Sequence, residues 1–177
     1  MNKVLEEIKK IGIVPVVVLD DAKDAEPLAK ALIEGGLPCA EVTFRTAAAE
    51  ESIRIMADKF PELIVGAGTV LTPEQADRAM NAGAKFIVSP GLNPKVVKHC
   101  IDKGYPIVPG TSNPSDVETA IELGLDVVVD VLFNVQLEVG VILLVEGLRL
   151  LQGVDVEVGV PCPYGQGLVA VSGGVGG

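Results

Sequence analysis

A carboxylate and a guanidinium lie close together in residues 40–46, AEVTFRT. If this stretch begins as a β-strand, Glu41, Thr43 and Arg45 share one face, because side chains alternate along a strand. Burying charged groups in a sheet or barrel is costly unless they are paired or face a polar ligand. Two interpretations are therefore open: a structural ion pair at a strand end, and a site for a polar ligand.

The elements that would position these groups follow a strand-then-helix rhythm. The predicted strands are residues 11–19, 39–44, 63–65, 85–88 and 105–108, and a sixth strand begins near Asp126. The predicted helices are residues 1–10, a helix capped by Asp20 and Asp21, residues 47–60, and three helices that start at Thr72, Asn93 and Asn113. The last three starts each carry a side-chain oxygen that can accept a backbone N–H.

This alternation predicts an α/β protein, a (β/α)8 TIM-type barrel whose C-terminal third is incomplete or irregular. In such a barrel the loops after the strands build the active site at one rim. That rim would bring residues 41–45 together with residues 66–69, 89–91 and 109–111. Lys85 is expected at a solvated or salt-bridged strand end, and His99 is expected to be a surface or packing residue.

Composition argues against several classes of function. Hydrophobic residues make up 49% of the 177 residues and aromatic residues only 3%, which indicates one domain with an aliphatic core. The formal charge of −10 argues against a nucleic-acid partner, whose phosphates need a basic surface. Three widely spaced cysteines indicate buried or incidental thiols in a reducing, cytoplasmic compartment. The apolar run at residues 139–145 is too short to span a bilayer, so no membrane partner is expected.

The composition changes after Val127. Residues 127–177 contain no lysine, one arginine and an excess of valine, glycine and leucine. A frameshift, a wrongly assigned sequence or a degenerated end would each produce this change. Within one barrel domain of residues 1–177, the section is predicted to contain a helix at 136–152, strands at 154–158 and 168–171, a loop at 161–167 and a flexible end from Ser172.

Five segments resemble one enzyme family in their order and spacing. They are residues 13–17 (IVPVV), 41–46 (EVTFRT), 65–70 (VGAGTV), 86–91 (FIVSPG) and 108–110 (VPG). Together they are similar to 2-keto-3-deoxy-6-phosphogluconate aldolases, a family that includes 4-hydroxy-2-oxoglutarate aldolases, and the likeness covers about residues 11–126. The resemblance implies a class I aldolase on a (β/α)8 barrel, typically a homotrimer with no cofactor. It would cleave a phosphorylated 2-keto-3-deoxy sugar acid to pyruvate and glyceraldehyde 3-phosphate through a lysine Schiff base.

The roles of individual residues follow from the same resemblance. Glu41 would be the general acid/base that moves protons during imine formation and carbon–carbon cleavage. Arg45 would bind the anionic end of the substrate. Thr69 and Pro90 would line the pyruvate-binding pocket.

The nucleophile of that chemistry is missing from the sequence. The family carries its lysine in the sixth strand, within a Lys-Phe-Phe-Pro segment, and this chain has Val129 there and no lysine after Lys103. The family's later Pro-Thr-Gly-Gly phosphate loop also has no counterpart at its expected distance. Because a protonated lysine imine is the electron sink for cleavage, activity is predicted to be impaired unless another lysine, first of all Lys85, takes its place.

Two alternatives remain open. One is a non-catalytic barrel that keeps an anion pocket and acts by binding a keto acid or phosphosugar acid, or by assembly. The other, less favoured, is metal-assisted aldol chemistry at Glu41, because no residues with metal-ligand spacing accompany it and no metal is expected.

Overall fold

Strands and helices alternate along the chain in the computed structural model, which describes residues 2–130, 155–161 and 168–172. The helices are α1 (Lys3–Ile11), α2 (Ala25–Glu34), α3 (Ala49–Lys59), α4 (Pro73–Asn81), α5 (Pro94–Lys103) and α6 (Pro114–Glu122). The strands are β1 (Val14–Val18), β2 (Cys39–Thr43), β3 (Ile64–Gly68), β4 (Ile87–Ser89), β5 (Ile107–Thr111), β6 (Val129–Asp130), β7 (Asp155–Pro161) and β8 (Leu168–Ser172). A short 3-10 turn at Ala22–Asp24 precedes α2.

The strands form a closed barrel in the order β1-β2-β3-β4-β5-β6-β8-β7. Each neighbouring pair from β1 to β6 is parallel, and β6 is also parallel to β8. The exception is β7, which lies between β8 and β1, runs antiparallel to both and so closes the barrel. The predicted α/β barrel is confirmed, and its departure from regular repetition falls in the C-terminal third, as expected.

Side-chain caps fix where α4, α5 and α6 begin. Thr72 Oγ1 accepts the Gln75 N–H at 3.2 Å, and the side-chain oxygens of Asn93 and Asn113 cap α5 and α6 in the same way. These three predicted starts are confirmed. The start predicted at Asp20 and Asp21 is wrong for α2, because Asp21 caps the 3-10 turn and the α-helix begins only at Ala25.

Three strands extend further toward their C-terminal ends than the sequence predicts. Gly66–Gly68 lies within β3, Ser89 ends β4, and Pro109–Thr111 lies within β5. These residues keep strand conformation because their backbone groups pair with neighbours, as when Gly68 O accepts the Phe44 N–H at 2.8 Å. At the other end β1 begins only at Val14, because α1 runs on to Ile11.

The core has two layers, one outside and one inside the barrel. The outer layer packs outward-facing strand residues such as Val42 and Val65 against helical residues such as Ile53 and Met56. Among the described residues, the inner layer includes the buried side chains of Ile8, Val14, Cys39 and Phe86. Since Ile8 belongs to α1, this first helix closes the N-terminal end of the barrel. The core is mainly aliphatic, as the composition predicts.

Some predictions about the C-terminal section can be compared with the structure. The strands predicted at 154–158 and 168–171 correspond to β7 and β8, whereas the sixth strand begins at Val129, later than expected. The predicted helix at 136–152, the loop beyond Pro161 and the end beyond Ser172 lie outside the described residues. Among the helices of the described ranges, none combines the length and apolar character that a membrane crossing needs.

Candidate active site

Glu41 occupies the middle of β2 on the face that points into the barrel. It is paired in register with Val16 of β1 and Gly66 of β3, and 9% of its surface is exposed. Cys39, two residues earlier on the same face, belongs to the buried inner layer. Glu41 is therefore an almost buried carboxylate held by a barrel strand, which gives it a fixed position relative to the rim.

Arg45 lies beyond the end of β2 and not within it, because the strand stops at Thr43. The turn that carries it is tied to β1 at two points: Thr43 Oγ1 donates to Val17 O at 3.2 Å, and Thr46 Oγ1 donates to Leu19 O at 2.5 Å. The arginine side chain is exposed on the C-terminal rim. The prediction that Glu41 and Arg45 share a strand face is therefore wrong for Arg45, although both lie on the rim side of β2.

Thr69 adopts a strained backbone conformation directly after β3. Its φ is +56°, a left-handed value that a β-branched residue rarely adopts. The conformation is held from both sides, since Phe44 N donates to Gly68 O at 2.8 Å and Val70 N donates to Val88 O at 3.1 Å. Strain of this kind concentrates at functional sites, where the surrounding structure over-determines it.

A cleft of about 250 Å³ opens at the C-terminal ends of β3 and β4. Its lining comes from the two segments that follow these strands: Val70, Leu71, Ser89, Pro90, Gly91, Leu92 and Asn93. Ser89 Oγ donates to Gly91 O at 2.9 Å and fixes the turn around the exposed Pro90. Of the residues predicted to line the pocket, Pro90 lines this cleft, and Thr69 immediately precedes its Val70 edge.

Val129 begins β6 on the inward face of the barrel. It is in register with Gly110 of β5, which shares its face with Val108 two residues earlier. Val108 pairs with Val88, and Val88 packs against the inner layer of the core. The sixth strand thus presents an apolar residue to the interior at the position where the family resemblance expects a lysine.

Every lysine of this chain is exposed and lies outside the strands. Lys85 precedes β4, and its backbone N–H donates to Val65 O at 2.7 Å, so it stands at the end of the barrel opposite the rim. Its predicted solvated position is confirmed, and it is not placed to replace an interior nucleophile. Lys23 lies on the rim side and pairs with Asp21 at 2.8 Å, with both side chains exposed.

The helices carry further titratable groups with defined contacts, among them His99 and Asp116. His99 Nε2 and Asp77 Oδ1 are 2.9 Å apart between α5 and α4, which agrees with the prediction that His99 is a surface or packing residue. The contact with His99 lowers the pKa of Asp77. Burial raises the pKa of the Cys39 thiol to about 12 and that of Cys100 to about 11, so neither buried thiol is a thiolate at neutral pH. Within the described ranges no three His, Cys, Asp or Glu side chains are grouped to hold a metal ion.

The sequence matches a family model and curated proteins of known activity. The family model "Aldolase: KDPG and KHG aldolase" matches residues 4–156. The chain is 48% identical over 128 residues to the 2-dehydro-3-deoxy-phosphogluconate aldolase of Treponema pallidum, a match that covers 72% of this chain and 61% of that protein. The chain therefore spans about three fifths of the length of this curated relative.

Two solved structures show how far the fold agrees. The crystal structure of the 2-keto-3-deoxy-6-phosphogluconate aldolase of Zymomonas mobilis ZM4 with 3-phosphoglycerate has a TM-score of 0.71 at 34% identity, covering 97% of this chain and 75% of that one. The aldolase of Legionella pneumophila, which holds pyruvate as a covalent carbinolamine, has a TM-score of 0.64 at 34% identity, covering 66% and 57% of the two chains.

Proposed function

Because the chain belongs to the KDPG and KHG aldolase family, we propose that it is a class I aldolase-type lyase whose Schiff-base step is impaired. The substrate class is 2-keto-3-deoxy-6-phosphogluconate or 4-hydroxy-2-oxoglutarate, which the intact chemistry would convert to pyruvate and an aldehyde. In this proposal the protein is cytoplasmic and assembles as a homotrimer.

The observation that carries the proposal is the contrast between Glu41 and Val129 on the inner wall. Glu41 is an almost buried carboxylate on the inward face of β2, suited to moving protons beside a carbinolamine. Val129 faces the same interior from β6, while every lysine of the chain is exposed and outside the strands. The proton-transfer group is therefore present without the amine that would hold the substrate covalently.

The substrate would bind where the rim offers polar groups and an open cleft. Arg45 would hold the anionic end, because a guanidinium is a strong, permanently charged partner for carboxylate and phosphate. Thr69, in its fixed left-handed conformation, and Pro90, at the cleft, would contact the pyruvate moiety.

Replacing Val129 with lysine should restore imine formation, since the substitution returns the amine to the interior face of β6. We expect no borohydride-stable mass adduct when the unsubstituted chain is incubated with pyruvate and borohydride, and a stable adduct on Val129→Lys under the same conditions. The loss of a covalent route amounts to many orders of magnitude in rate. Intact-mass spectrometry is the measurement.

The matched control is Val128→Lys, which places the same amine one residue before β6, where side-chain alternation would direct it away from the interior. It should give no adduct. An adduct on the unsubstituted chain would contradict the proposed impairment and identify a substitute lysine by peptide mapping.

The second candidate function is binding without turnover, and the exposed rim arginine together with the cleft favours it. Calorimetry with pyruvate and with a phosphosugar acid should show saturable binding that Arg45→Ala weakens. A charged pair worth about 2 to 3 kcal/mol corresponds to a loss of about 30- to 150-fold in affinity. Arg54→Ala, on the outer face of α3, is the control and should bind like the parent chain. Absence of binding by the parent chain would exclude this second function.

A further inference from the structure

The two glycines of β3 each leave room for a different side chain. A Cβ on Gly66 would stand 2.3 Å from the ring of Phe86, and a Cβ on Gly68 would stand 1.8 Å from Oε1 of Glu41. Both distances are far below any real Cβ contact. The phenyl ring and the carboxylate therefore occupy the space where alanine side chains would lie.

Backbone conformation does not explain why these two positions are glycine. The glycines with positive φ are elsewhere in the described chain, at helix ends and turns, and neither Gly66 nor Gly68 is among them. Alanine could adopt the strand conformation at either position. What glycine provides here is the missing side chain.

The three nearest atoms to a Cβ on Gly68 all belong to Glu41: Oε1 at 1.8 Å, Cδ at 2.7 Å and Cγ at 2.8 Å. Glu41 is nevertheless paired in register with Gly66 and not with Gly68. Its side chain therefore leans toward the C-terminal rim, away from its own register partner.

Phe86 accounts for the direction of this lean. Its ring covers Gly66, the register partner of Glu41, and belongs to the buried inner layer together with Cys39. A carboxylate placed toward the closed end of the barrel would lie among apolar groups, which disfavours its charged form. The open face of Gly68 is the remaining position, and it lies next to the strained Thr69.

We infer that Gly68 is a positioning residue for the proton-transfer group. Because Gly68 has no side chain, the Glu41 carboxylate can lie against its Cα at the rim. The Phe86 ring over Gly66 excludes the carboxylate from the inner position. The inference rests on the role proposed above for Glu41. Gly68 itself touches no reacting atom. A methyl group there would displace the carboxylate from the place where a bound keto acid could exchange protons with it.

The first test uses the chain without any new lysine and measures stability. Gly68→Ala should lower the melting temperature by at least about 3 °C, because the added methyl group overpacks against the buried side chain of Glu41. In a Glu41→Ala background the same change should shift the melting temperature by less than about 1 °C, since the three Glu41 atoms nearest to the new methyl group are absent. Equal losses in both backgrounds would overturn the inference. If Gly68→Ala does not fold, folding of the double variant supports the inference and its failure overturns it.

The second test measures the titration of the Glu41 carboxylate directly. ¹³C NMR of glutamate-labelled protein should show a resonance that disappears in Glu41→Gln, and its titration midpoint should shift in Gly68→Ala. Gly35→Ala is the control, because this glycine also has a negative φ of −76° and lies at the end of α2, and it should leave the midpoint unchanged. An unchanged midpoint in Gly68→Ala overturns the placement.

The third test measures proton transfer in the Val129→Lys background. Exchange of the pyruvate methyl protons with solvent requires Glu41 to take a proton from the carbon beside the iminium. The C–H electron pair becomes the enamine double bond, and the iminium nitrogen takes the C=N pair. Gly68→Ala should slow this exchange about 100-fold, the effect of misplacing a catalytic group by about 1 Å.

The same change should slow exchange less than about 3-fold when Glu41→Gln is also present, because a positioning residue acts only through its carboxylate. Equal slowing in both backgrounds would overturn the inference. If Val129→Lys forms no imine, the proposed function fails, and the stability and titration tests still decide the role of Gly68.

Discussion

Thr69 shows how a single residue can store strain at the rim. Its left-handed φ of +56° is unusual for a β-branched side chain, and hydrogen bonds on both sides hold the conformation in place. A glycine would adopt the same conformation without strain, so threonine is retained here at a cost in stability. The cost is consistent with a side chain that is needed for contact with a ligand.

Replacing Thr69 with glycine should therefore raise the free energy of unfolding while weakening ligand binding. We expect a gain of about 1 kcal/mol from relief of the strain, measured by urea unfolding, and weaker pyruvate binding by calorimetry. Thr111→Gly is the control: Thr111 is buried, lies in β5 and donates to Val129 O at 3.2 Å, so its loss should destabilise the protein. If Thr69→Gly lowered the free energy of unfolding, the interpretation of Thr69 as a strained residue would be contradicted.

Some residue-scale features could be predicted from the sequence and others could not. Glu41 was identified because a carboxylate near the end of an apolar strand is costly without a purpose. Its position over Gly68 could not be predicted, because that position depends on the ring of Phe86, which comes from the segment just before β4. The predicted strand at 39–44 ends before Arg45, as β2 does, but alternation alone still placed Arg45 on the same face as Glu41.

At the scale of elements, α1 supports the site from the closed end of the barrel. Ile8 is buried against Val14, Cys39 and Phe86, the same layer that lies beneath Glu41. Asn2 caps the helix through the Val4 N–H at 2.9 Å, and Gly12 ends it in a left-handed conformation with φ +83°. The helix therefore has a defined start, end and buried contact.

Truncating Ile8 to alanine should cost about 2 to 5 kcal/mol of unfolding free energy, because it leaves a cavity in a close-packed layer. Chemical denaturation is the measurement. Lys9→Ala, an exposed change on the next residue of the same helix, should alter stability by less than about 0.5 kcal/mol. Equal effects of the two substitutions would contradict the packing role of α1.

Helix starts were among the most predictable elements, because a cap is a local interaction between a side chain and a backbone N–H a few residues away. Thr72, Asn93 and Asn113 carry this signal in the sequence itself. Strand ends were less predictable. Gly66–Gly68 and Pro109–Thr111 have the composition of turns, and only their pairing with neighbouring strands shows that they belong to β3 and β5.

At the scale of the whole molecule, ion pairs between helices make stability depend on pH. The Arg78 Nε donates to Glu50 Oε2 at 2.8 Å and lowers the pKa of that carboxyl, while His99 lowers the pKa of Asp77. A carboxyl with a lowered folded-state pKa stabilises the protein above its unfolded value and loses this contribution as the pH falls through the folded value. These contacts link α3 to α4 and α4 to α5.

The melting temperature should therefore decrease as the pH falls below about 4.5, the ordinary value for Glu50. Circular dichroism melts between pH 7 and pH 2.5 would record the decrease. Glu50→Gln should flatten the acid limb, whereas Glu122→Gln, at the exposed end of α6, should leave it unchanged. A melting temperature that stays constant down to pH 3 would contradict the contribution of these pairs.

The barrel as a whole was predictable because its units repeat: each short loop leads from an apolar run to a helix. The direction of β7 was not predictable, because period-2 alternation gives no information on which neighbour a strand joins or in which direction. The same limit applies to the pairing of β6 with β8.

Closure by β7 has a consequence for the order in which the chain can fold during synthesis. Val14 in the first strand pairs with Gly159, so the first five parallel strands leave the ribosome long before the partner of β1 exists. Until then β1 presents an unpaired edge, and the nascent sheet is open to pairing with other chains. The pairing of β1 with β7 is slow to form, because the intervening strands and helices must be ordered before the contact is gained. The nascent polypeptide would accordingly depend on chaperones until its final strands emerge.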